Sequence, residues 1–453
     1  MMTAGFAEVD ITPPPGCALA GYGGREHPAQ GVRDPLHARA MVLERAGVCI
    51  AVVGADLLGV DADLVAAVRA GAESSCGLSP DAVLVCASHT HFGPALRPTG
   101  YLPEDLDAAI PLAYVAELPE KLAGCIALAD SRRQPARIGV GCGWSPTISY
   151  NRRPLDASGQ CRMAFTVPSG GASRASTEGA RQAARALGLS DARPAALSPS
   201  DLSAEGDLAG LRWGPTDPQV PVLLAEGDDG ALLGGLVSFA CHPVCGAGDE
   251  AFYDISADFP GALQEVVSEA LGRQLVFGLG CAGNQVPFVR GPGSREAVGY
   301  ALAREVRRVA ATITFESDMP IAAVRHAVSL PLKDFSTGGS PTGDDAQSRY
   351  LRHLAGEYAG RTTLETEVQT LRIGPMALVS LPGEIFVEIG HAVKRRSPFP
   401  LTVPVSLGND SIGYVPIAEA YDQGGYEPAW NAVAPEAAEV LTEAALAAVG
   451  AIG

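Results

Sequence analysis

Apolar stretches rich in β-branched residues recur along this chain, each followed by a polar or glycine-rich loop and then by a segment of helical periodicity. The unit occurs at least five times. Residues 48–58 lead into a helical pattern at 62–77, and residues 82–86 run into Ser88-His89-Thr90-His91. Residues 232–239 stop at Cys241-His242-Pro243, and residues 274–279 at Gly280-Cys281-Ala282-Gly283-Asn284. Residues 376–381 end at Pro382-Gly383-Glu384, where the pattern predicts a helix to about residue 394. This alternation predicts an α/β fold with mixed sheets flanked by helices. Sites in α/β sheets form beyond the carboxyl ends of the strands, and the polar residues just named stand at such ends. Residues 168–203, rich in Ala, Ser, Gly, Arg and Pro, read as an inserted surface segment, and residues 334–348 as a second loop.

Composition narrows the partners. Of 453 residues, 47% are hydrophobic and 19% charged, which is the balance of a chain that folds around a core. A net charge of −18 disfavours nucleic acid and anionic lipid, both of which repel an acidic surface. The start lacks a basic leader followed by a long apolar run, and no stretch reaches the roughly 18 apolar residues of a membrane span. The expectation is a cytoplasmic protein with a small-molecule partner and no stable membrane association. The 10 cysteines are scattered, with Cys241 and Cys245 the one close pair, so they read as small buried hydrophobes and not as a disulfide framework.

Three of the 8 histidines, His89, His91 and His242, follow apolar strands. Alternate residues of an extended segment face the same way, so His89 and His91 are expected to enter one crevice together. Paired histidines also satisfy core hydrogen bonds, and the motif alone does not decide between the two. Adding Glu384 completes the imidazole and carboxylate set of a catalytic zinc, which takes three protein ligands and leaves one position open. Asp258 either orients a ligand imidazole from behind or caps a helix ahead of Pro260 and Gly261.

These residues lie in motifs that run nearly end to end. They include Asp10-Ile11-Thr12-Pro13-Pro14, Ser88-His89-Thr90-His91-Phe92-Gly93-Pro94, Asn151-Arg152-Arg153-Pro154, Phe239-Ala240-Cys241-His242-Pro243, Leu381-Pro382-Gly383-Glu384 and Gly413-Tyr414-Val415-Pro416. In this order they resemble the catalytic domain of the neutral, non-lysosomal ceramidases. The resemblance implies a single catalytic domain over residues 1–453, without that family's C-terminal immunoglobulin-like domain. It also implies zinc held by His89, His242, Glu384 and Tyr414, with His91, Arg152 and Tyr426 contacting substrate and assisting catalysis. The family's Gly-Asp-Val-Ser-Pro reads Gly283-Asn284-Gln285-Val286-Pro287 here, so Val286 stands where a serine is expected at the reacting centre.

A valine hydroxyl does not exist, so the expected chemistry is metal-activated water attacking an amide or ester carbonyl of a small molecule that is not ceramide. His91 would relay protons, Arg152 or Tyr426 would steady the oxyanion, and Asn284 would contribute a hydrogen bond. Two other readings stand beside it: a non-hydrolytic enzyme using zinc as a Lewis acid for cyclisation, acyl transfer or elimination, and a metal-binding scaffold without activity.

Overall fold

In a computed structural model that describes residues 2–165, 210–335 and 342–453, period-two side-chain alternation sorts each central strand between two cores. Ala51, Val53 and Ala55 pack into one hydrophobic cluster, while Ile50 and Val52 of the same strand enter another. Val83, Val85 and Ala87 part in the same way from Leu84 and Cys86. The strand Met376–Ser380 divides too, with Met376 and Leu378 facing one cluster and Ala377 and Val379 the next. Strands buried on both faces are covered on both, so the chain stacks as helices, sheet, sheet, helices.

The larger sheet has eight strands, ordered Leu275–Leu279, Leu232–Phe239, Gln219–Gly227, Gln134–Trp144, Met2–Asp10, His37–Arg45, Val48–Ala55 and Val83–Ala87. Both edge strands pair in parallel and the inner ones antiparallel. The smaller sheet runs Ile321–Pro331, Thr363–Ile373, Met376–Ser380 and Leu401–Val405, with the last pair parallel. The α/β class with mixed sheets and flanking helices is therefore as expected.

Helices Ala62–Cys76, Leu112–Ser131, Asp258–Leu271 and Ser294–Ala310 cover the outer face of the larger sheet, contributing Val68, Leu122, Leu263 and Leu302 to its core. Val387–Arg396 and Ala437–Gly450 cover the smaller one through Val393 and Leu441. The two sheets are stitched at one end by Asn409, whose side chain accepts from the Val85 N–H at 3.0 Å and donates to Gln369 at 2.8 Å. Among the described residues no helix is long and apolar enough to cross a membrane.

Two local expectations change, and one falls outside the described residues. Glu384 does not open a helix: Glu384–Ile385 is a two-residue strand parallel to Tyr414–Val415, and the helix starts at Val387. The expected loop at 334–348 gives way at Asp345, whose side chain caps the helix Ala346–Glu357 by accepting from Ser348 N at 3.0 Å. The proposed insertion at 168–203 lies outside the described residues.

Candidate metal centre

The strand Val83–Ala87 ends two residues before His89, and the chain turns there. His89 adopts φ +67, a left-handed conformation that costs a β-carbon residue roughly 1–2 kcal/mol and persists only where the surroundings fix it. Two carbonyls do so: Leu57 O accepts from the His89 N–H at 2.9 Å, and Leu58 O lies 2.7 Å from Nδ1. The turn brings the His91 ring round until its Nε2 stands 3.2 Å from His89 Nε2. Strand alternation is thus not what unites the pair, although they do share one crevice.

His242 follows Phe239 by three residues, and its Nδ1 faces the carbonyls of Ala282 at 2.6 Å and Gln285 at 3.1 Å. With the Nδ1 protons of His89 and His242 given to main-chain carbonyls, both Nε2 lone pairs point inward. Glu384 closes the group from the smaller sheet, its Oε2 3.1 Å from His242 Nε2 and 3.3 Å from His89 Nε2. The candidate donor atoms of His89, His91 and His242 also lie within 4.8 Å of one another. His89 and His242 are common to both sets, with Glu384 and His91 on either side.

Burial, followed by Arg152, pushes His242 down to about 4, and burial together with the neighbouring imidazoles holds His91 well below its ordinary value. Burial raises the Glu384 carboxyl, but the facing imidazoles outweigh it and keep the group well below the usual range. Electron-rich atoms this close need a cation between them, whether a shared proton or a metal. Zinc bonds of about 2.0–2.1 Å in a tetrahedron put neighbouring donors about 3.3 Å apart. The observed spacings of 3.1, 3.2 and 3.3 Å fit that edge.

Tyr414, Tyr426, Tyr101, Tyr350 and Trp430 join His89, His91 and Glu384 around a cavity of about 90 Å³. Tyr414 lies nearly parallel to His242, ring centres 6.4 Å apart, and its buried hydroxyl accepts from Arg152 Nη2 at 3.1 Å. Arg152 is not on the cavity wall. Its Nε donates to Glu427 at 2.7 Å and its Nη2 to Gly283 O at 2.8 Å, so it reaches the site through Tyr414. Glu427, wholly buried, also accepts from Arg153 at 2.6 Å.

Asn284 is not brought to the cavity. Its amide donates to Glu388 at 2.8 Å and accepts from Val387 N at 3.1 Å. Val286 packs with Tyr150, Trp213 and Val244 in a separate apolar cluster and does not line the cavity, so the missing serine says little about the chemistry at the histidines. Asp258 starts a helix and accepts from Gly246 N at 3.0 Å and Phe259 N at 2.7 Å, anchoring the loop after His242 through main chain and not through an imidazole. Cys241, Cys245 and Cys281 are free and buried, and burial pushes their thiols up, Cys281 to about 12.

Glu427, Tyr101, Tyr350 and Trp430 were not singled out from sequence. For Glu427, its place next to Tyr426 in the sequence was the one available signal, since a carboxylate buried at a site needs cationic partners.

No family model matches the chain, and no curated protein matches it. Among solved structures, the neutral ceramidase of Pseudomonas aeruginosa is similar over 100% of this chain and 75% of its own, at 19% identity and a TM-score of 0.68. A structure described as ceramidase complexed with C2 matches 98% of this chain and 74% of its own, at 18% identity and a TM-score of 0.66. At such identity the likeness is one of architecture. The chain is thus a divergent one with the fold of the neutral ceramidases.

Proposed function

We propose that this chain is a zinc-dependent hydrolase that cleaves an amide or ester bond of a small molecule. One observation carries the reading: Glu384 Oε2 stands at the edge length of a zinc tetrahedron from the Nε2 atoms of both His89 and His242, beside a cavity lined by tyrosines. When bound, zinc supplies a Lewis acid that polarises a carbonyl and acidifies water.

The side chains divide the remaining work. Leu58 O and Ala282 O fix the tautomers of His89 and His242, so both present Nε2 inward. His91 stands beside them as a neutral imidazole at neutral pH, so its Nε2 is the site that accepts a proton. Tyr414 and Tyr426 offer phenolic donors where negative charge develops on the carbonyl oxygen. Arg152 acts as a positioning cation that holds the Tyr414 oxygen, and Glu427 holds Arg152.

The test is metal analysis of purified protein together with a screen of N-acyl and ester compounds in water enriched in heavy oxygen. One equivalent of zinc and labelled acid product are expected. Zinc-loaded protein that yields a product with no solvent oxygen incorporated would replace hydrolysis with transfer or elimination.

A further inference from the structure

Tyr350 lines two adjoining cavities, the one of about 90 Å³ at the histidines and an outer one of about 180 Å³. The two share Leu58, Tyr101, Tyr350, Glu384 and Gly413, so the tyrosine ring stands at the join. It is held from both sides, stacked on Trp430 at 5.3 Å between ring centres and packed against Tyr101 at 6.4 Å. Tyr101 is itself pinned, since its hydroxyl accepts from Gly21 N at 2.8 Å and its carbonyl accepts from Arg349 Nη2 at 2.9 Å. Behind Tyr350 the outer cavity has apolar walls, Leu96, Leu354 and Ile412 among them, but Asp61, Arg97 and Glu357 also line it. An alkyl chain gains burial along the walls and gains nothing where it meets those charges and solvent.

We propose that Tyr350 is the specificity-determining residue of this site, and that the outer cavity takes one compact, mainly apolar substituent of the substrate and gives no advantage to a long acyl chain. The proposal rests on the histidine cavity as the place of reaction. Asp61, Arg97 and Glu357 line the outer cavity, so an apolar portion gains only until it reaches them. The substrate class is therefore amides or esters with a short acyl or amine portion. Tyr350 marks how far such a portion extends from the reacting carbonyl before the charges begin.

The experiment is calorimetric titration of zinc-loaded protein with straight-chain alkyl hydroxamates from two to twelve carbons, the hydroxamate serving as the metal anchor. Affinity is expected to rise about fourfold per methylene while the chain follows the apolar walls and to level off well short of the twelve-carbon member, where the charges begin. Tyr350→Ala, which joins the cavities, should carry the rise to longer chains. Tyr350→Trp keeps the aromatic contact with Trp430 and should bring the plateau to shorter ones, so the test survives if the alanine variant fails to fold. A rise sustained to twelve carbons in the unmodified protein, no dependence on chain length, no hydroxamate binding at all, or an unmoved plateau in Tyr350→Trp would each overturn the proposal. Binding needs no turnover, so the expected profile in a protein that cleaves no amide or ester would sink hydrolysis and leave the pocket assignment standing.

Discussion

Glu427 offers the sharpest test of how the site is held together. Its carboxylate is wholly buried and clasped by Arg152 at 2.7 Å and Arg153 at 2.6 Å. Glu427→Gln keeps the size, but the amide NH₂ then faces a guanidinium N–H, so one donor meets another and two buried cations lose their counter-charge. Breaking a buried pair by removing one partner costs about 3–5 kcal/mol. The lower end applies, because Arg152 keeps Gly283 O at 2.8 Å and Arg153 keeps Gly424 O at 2.7 Å as neutral acceptors. For 453 residues the unfolding entropy is roughly 0.95 kcal/mol per degree, so the melting temperature should fall by about 3 °C. Differential scanning calorimetry of the metal-free protein measures this without any contribution from ligand binding. Glu427→Asp, which retains the charge, should recover part of the loss. A Glu427→Gln protein melting within half a degree of its parent would refute the reasoning, since two uncompensated guanidinia cannot be buried at no cost.

Other consequences follow from single contacts. A Cβ on Gly21 would sit 2.6 Å from the His91 ring at a φ of +97, so Gly21→Ala should lower turnover roughly a hundredfold with zinc content kept; unchanged turnover would mean that His91 is not the proton acceptor. Burial lowers His391 from 6.5 to about 4, so its neutral form stabilises the fold fully above pH 6.5, and that stability is lost as pH falls toward 4, by about 3 kcal/mol in all. Urea melts of His391→Gln across that window should show a shallower acid loss than the parent. His89→Ala should lose the metal, while Tyr414→Phe should keep it and change turnover and its pH dependence; metal content after dialysis decides, and the reverse ranking would displace Tyr414 and His89 from their assigned places.

The sequence made His89, His242 and Glu384 legible as a group because all three follow apolar strands, but the expected single sheet edge does not unite them, since Glu384 leaves the four-stranded sheet and the histidines the eight-stranded one. The reason given for His89 and His91 was wrong in detail: a left-handed turn, which no pattern of apolar positions encodes for a histidine, unites them. The division of strands such as Val48–Ala55 between two cores was hidden for a related reason. A run apolar on both faces shows that it is covered twice without showing by what, and here the second cover is another sheet. Val286 speaks for altered chemistry in the sequence because it stands where the resembling motif carries a serine. Its side chain turns into the cluster of Tyr150 and Trp213, and orientation at a strand of three residues is invisible to periodicity. Tyr350 and Trp430 carried no local signal at all, since they meet across 80 residues of chain.

His89 and His242 leave the eight-stranded sheet, whereas Glu384 leaves the four-stranded one. A cation binding all three therefore spans the seam between two layers that also meet through main-chain bonds such as Ser406 N–H to Leu279 O, through Asn409 and Gln369, and through apolar side chains. By linkage, whatever free energy separates the bound from the empty donors must also oppose any motion that parts the sheets at that end. Amide hydrogen exchange at Val85 and Leu407, on the two sides of the seam, should slow together when metal is added, so that the ion acts as a rivet between layers as well as a reagent.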